Sequence, residues 1–98
     1  MALTLQAPIN LSGSIQIGGI SQIIAQPGYN RTKFLICNVD AVNDLWWSPW
    51  GVAAPNAAGS LRVPANGGII SFNGDALGTA YSLYGAATGQ LYTAWVDA

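Results

Sequence analysis

The chain has 98 residues, 51% of them hydrophobic, and a net charge of −1 from three basic and four acidic side chains. That length fits one domain, and the 7% charged fraction falls far below the roughly 25% usual for soluble domains. Three basic residues (Arg31, Lys33, Arg62) give no footprint for a nucleic-acid backbone, and no apolar run reaches the length of a membrane-spanning helix.

Twelve glycines and five prolines interrupt every candidate helical stripe, so short strands between turns are expected. In chain order, "TLQA" (4–7) is a first strand or part of an extended arm. "SIQI" (14–17) and "ISQIIAQ" (20–26) are strands parted by Gly18 and Gly19, and "PGYN" (27–30) is a turn. "TKFLICN" (32–38) is the strongest strand signal, with Phe34 and Ile36 on one face and Lys33, Leu35 and Cys37 on the other. "DAVND" (40–44) has turn chemistry, and "LWWS" (45–48) is a strand ended by Pro49.

After a loop at 51–60, "LRV" (61–63) is a short strand, "PANGG" (64–68) a turn and "IISF" (69–72) a strand. "NGDALG" (73–78) is a further turn. "AYSLYG" (80–85) and "QLYTAWV" (90–96) close the chain, with Leu91, Thr93 and Trp95 sharing one face of the last strand. About eight strands with turns every 8–12 residues predict an all-β fold, an antiparallel β-sandwich. The expected organisation is an N-terminal arm or first strand at 1–13, which would reach a neighbour, followed by one sandwich domain at 14–98.

Catalysis is poorly provisioned. With no histidine, the usual general base at neutral pH is missing. No Cys/His/carboxylate cluster has metal-ligand spacing, so neither metal nor cofactor is expected. Asp40 and Asp44 read as turn formers rather than calcium ligands. Cys37, the one cysteine, has no internal disulfide partner and reads as a small buried hydrophobe. "GSIQIGG" and "GVAAPNAAGS" lack the lysine and strand-to-helix setting of a phosphate loop. The N-terminus has neither a basic start nor a long apolar stretch and does not read as a signal peptide, so the "NRT" sequon at 30–32 is treated as chance.

"DLWWSPWG" (44–51) holds three of the four tryptophans. Strand alternation sends Trp46 and Trp47 to opposite faces. One of them belongs in the core, with Trp95 as its expected partner. The other, together with Trp50, is a candidate subunit or partner contact, so Trp46, Trp47 and Trp50 form the candidate set. A sugar-stacking platform on Trp47 or Trp50, with Asn43, Asp44 and Asn56 as polar neighbours, is the alternative use.

"NRTKFLICNVDAVNDLWWSPWG", "GSLRVPANGGIISF" and "AYSLYGAATGQLYTAWVD" together resemble small β-sandwich structural proteins of tailed bacteriophages. Arg31, Ile36 and Asn38 match an Arg-opened strand ending in Ile-x-Asn. Leu61, Pro64 and Gly67 match a Leu-x-x-Pro turn, and Tyr81, Leu91 and Val96 match a closing strand pair. The likeness spans about residues 20–97; the triple Trp and the absence of a Glu near the C-terminus depart from it. It implies a non-enzymatic virion protein assembled in the host cytoplasm, as a capsid decoration protein or a head- or tail-fibre component. Its partners would be the major capsid protein and further copies of itself, with a homotrimer fitting the three-fold positions of an icosahedral shell. A receptor- or carbohydrate-binding module of a fibre is the alternative. Within the resemblance, Arg31 would pair with an Asp or a carbonyl at the sandwich edge, and Asn38 would close the turn into "VDAVND".

Overall fold

The computed structural model describes residues 9–25, 33–49, 51–73 and 80–97. The expected strand at 4–7, the turn at 27–30, Arg31 and Trp50 lie outside the described residues, as does most of the expected turn at 73–78. Among the described residues there are nine strands: β1 (Ile9–Asn10), β2 (Gly13–Ser14), β3 (Gln22–Ala25), β4 (Lys33–Asn38), β5 (Leu45–Ser48), β6 (Leu61–Val63), β7 (Ile69–Asn73), β8 (Tyr81–Gly85) and β9 (Leu91–Asp97). They form two antiparallel sheets. The larger has the order β1-β9-β4-β7, with β2 also on β9, and the smaller has the order β3-β8-β5-β6. The expected antiparallel β-sandwich is the architecture observed.

The core fills the space between the sheets. Phe34 and Ile36 of β4 and Tyr92, Ala94 and Val96 of β9 face inward from the large sheet. Leu45, Trp47, Val63, Tyr81 and Leu83 face them from the small one. Three aromatic rings tie the layers together. Phe34 stacks on Trp47 with centroids 5.1 Å apart and planes 12° apart. Tyr81 meets both rings edge-on, at 4.8 and 5.4 Å. Such ring pairs contribute about 0.5–1.5 kcal/mol each beyond the area they bury.

A second set of ties is polar. Asn38 ends β4 fully buried, and its Nδ2 donates to the carbonyls of Asn43 (2.8 Å) and Val63 (3.0 Å). Its Oδ1 accepts from the Asp40 N–H. Asp40 Oδ2 in turn accepts from the N–H groups of Val42 and Asn43, which winds "DAVND" into the expected Asx turn. Asn38 therefore closes this turn, the role offered for it within the resemblance. It also holds the two sheets together at this end, because Val63 belongs to β6. Opposite, the "PANGG" turn carries Asn66 and Gly67 at φ values of 64° and 92°, a left-handed pair that only Asn and Gly adopt readily.

The structure differs from the expected strands near the N-terminus. "SIQI" pairs only through Ser14, together with Gly13. Beyond it, Ile15 is buried and bonds Gln90 and Gly89 through its backbone, while the Gln16 N–H donates to the Gln22 side chain. Side-chain and turn bonds thus replace the ladder, and Ile17 lies exposed in a turn. Residues 9–14 run along β9 of their own chain. β3 is shorter than expected, and its register against β8 shifts between Ile23 and Ala25.

Candidate contact surfaces

β5 separates the adjacent indoles as alternation requires. Trp47 is 1% exposed and fills the core between Phe34 and Tyr81, leaving no face for another chain or a sugar ring. Trp46 points outward from the small sheet and is half-buried, flanked across the ladders by Arg62 of β6 and Tyr84 of β8. Trp50 lies outside the described residues.

Trp95 is not the core partner of Trp47. β9 turns Tyr92, Ala94 and Val96 inward, so Trp95 shares the outer face with Leu91 and Thr93. Phe34, directly opposite Val96, takes the core position against Trp47. Trp95 instead lies beside Leu35, with Lys33 Nζ 5.6 Å from its ring centroid.

The outer face of the small sheet has a polar rim. Arg62 Nε donates to Asp44 Oδ2 at 2.7 Å, in an ion pair whose arginine is largely exposed. Exposed pairs of this kind add little stability. Asp44 Oδ1 also accepts from the Ala65 N–H, and this bond, together with the Arg62 guanidinium, holds the Asp44 carboxyl below its usual pKa of 3.8. Asp40 is lowered likewise, first by the Asn43 N–H and then by that of Val42. Both carboxylates are therefore occupied in turn geometry. Among the described residues no group of three potential metal ligands occurs. Nearby, the Ser82 hydroxyl donates to the Gly51 carbonyl and accepts from the Ala53 N–H, so the chain after β5 folds down over Ser48 and Ser82.

The outer face of the large sheet has a different character. Leu35 and Cys37 of β4 lie between Trp95 and Thr93 of β9 on one side and Ser71 and Ile69 of β7 on the other. Leu91 and Val39 extend the surface at one end. Ile69, Leu91 and Val39 are 61%, 57% and 50% exposed. Among the side chains described on this face, Lys33 at the far end is the one charge. Where Leu91 and Val39 meet the edge at Ser12–Ser14, a shallow depression of about 440 Å³ opens.

The expectations from the sequence fall on the tryptophan cluster and not on this face. A signal was present. "KFLICN" and "IISF" carry apolar side chains at both parities, a pattern typical of strands covered on both faces.

The fold and surfaces define an all-β protein of two packed antiparallel sheets, with one outer face polar at its rim and the other largely apolar. Compared with protein-family models, curated proteins and solved structures, the chain finds no match.

Proposed function

We propose that this chain is a non-enzymatic structural protein of a tailed-bacteriophage virion. Its role is that of a capsid decoration protein that self-associates and binds the major capsid protein through the outer face of its large sheet. The observation that carries this reading is the largely apolar outer face that holds Leu35, Cys37, Ile69, Leu91 and Trp95, on a chain with seven charged residues. Soluble proteins keep such patches for contacts, and interface centres are depleted in charge. The virion setting comes from the strand and turn spacing described above. The test is co-sedimentation with particles from the source that produces the protein. A Leu35→Lys, Leu91→Lys double variant is expected to fold and remain unbound, whereas Trp46→Ala binds as native. Native protein absent from particles would refute the reading.

A second reading, carbohydrate or receptor binding, is favoured by one feature: the outward Trp46 beside Tyr84, with the Arg62–Asp44 pair at its rim. It predicts glycan-array binding that is lost in Trp46→Ala.

A further inference from the structure

The two sheets expose four edges, and three carry features that block pairing with another chain. β1 and β2 are two-residue strands separated by a break. β3 is irregular, its register shifting between Ile23 and Ala25. β6 has three residues with Arg62 at the centre and Pro64 just past its end. β7 has none of these features. It runs five residues, "IISFN", with no charge and no proline, in unbroken register with β4 from Lys33↔Asn73 to Cys37↔Ile69. Among the described residues nothing hydrogen-bonds to its outer side.

The direction of the unused groups follows from the ladder. The Asn38 N–H donates to the Gly68 carbonyl at 2.8 Å, which makes Cys37 and Ile69 a non-hydrogen-bonded pair. Ile69, Ser71 and Asn73 therefore aim their backbone N–H and C=O groups away from β4. An antiparallel partner centred on Ser71 would pair all of them, and the strand best suited is β7 itself. Ser71 would meet Ser71 across a two-fold axis, and Ile69 would meet Asn73. No like charges would be opposed.

We infer that two copies of this chain associate through antiparallel pairing of their β7 edges, joining both large sheets into one continuous sheet. The same pairing enlarges the apolar outer face. From strand spacing and rise, the part spanned by β9, β4 and β7 covers roughly 300 Å² in one copy. Two copies side by side present roughly 600 Å², approaching the ~800 Å² per partner of a stable specific interface. One face alone falls well short. The pairing requires no virion, but it deepens the self-association of the reading above and replaces the expected three-fold symmetry with a two-fold one.

The test combines sedimentation equilibrium with amide hydrogen exchange on the full chain. Native protein is expected to have the mass of two copies, or an even multiple, with the Ile69 and Ser71 amides protected. Ser71→Pro removes an edge donor without touching the β4 ladder. It is expected to sediment as a folded single copy, with a thermal midpoint that no longer depends on protein concentration and with rapid exchange at Ile69. Should Ser71→Pro fail to fold, Ser71→Lys keeps the N–H and sets two like charges at the axis, with the same loss of pairing expected. A native single copy at all concentrations, an odd-numbered assembly, or free exchange at Ser71 within an assembly would overturn the inference. Particle binding is scored separately, so failure of β7 pairing with binding intact removes this inference alone.

Discussion

Trp47 sits where the two sheets meet, stacked on Phe34 and met edge-on by Tyr81. Trp47→Ala would empty the largest buried side chain and break two ring contacts at once. A loss of about 3–5 kcal/mol in denaturant unfolding is expected. Trp46→Ala, one residue away on the outward face, should cost within about 1 kcal/mol and leave a folded protein. Which of the two turns inward is decided only by the packing of the sheets, but their divergence was legible in the sequence, because alternation along β5 forces the neighbours apart whatever the fold. The identity of the core partner was not. β9 carries an aromatic on each face, Tyr92 and Trp95, and only its register against β4 decides which turns inward. Asn38 was legible as a turn closer, but its bond to Val63 across to the other sheet depends on tertiary packing.

At the scale of elements, β4, β5 and β6 lie where "TKFLICN", "LWWS" and "LRV" placed them, to within a residue. Turn chemistry brackets each of them tightly. β2 and β3 were harder to read because their polar side chains compete for the backbone, as the Gln22 carbonyl does when it accepts from the Gln16 N–H. The turn between them also depends on a close approach that no local pattern reveals. A Cβ at Gly18 would collide with the Ala86 carbonyl and lie 2.8 Å from the Thr88 nitrogen, both backbone groups of the β8–β9 turn. Gly18→Ala should therefore force the two turns apart and lower stability by roughly 1–3 kcal/mol. Faster exchange of the Gly18 and Gly19 amides, which now bond Thr88 and Gly85, would report the separation.

The whole molecule has few groups through which pH can act. Asp40 and Asp44 both have folded pKa values below the ordinary 3.8, through turn N–H groups and, for Asp44, Arg62. Unfolding then takes up protons at acid pH. Their contribution is complete above the unfolded value and is lost as pH falls through the lower folded values. Thermal midpoints should thus hold level from about pH 5 to 8, since the chain has no histidine, and should fall below about pH 4.

The same scarcity of charge leaves the outer face of the large sheet largely apolar, and the proposed function rests on the claim that this face is buried in an assembly. Cys37 is the protein's one thiol and lies within that face, half-buried between Thr93 and Ile69. Its alkylation by a small neutral reagent can be compared in free protein and in purified particles that carry it. A readily modified thiol is expected in the free chain, with strong protection on the particle that is reversed when the protein is released. Equal rates in the two states would mean that this face stays open to water, and would contradict the claim.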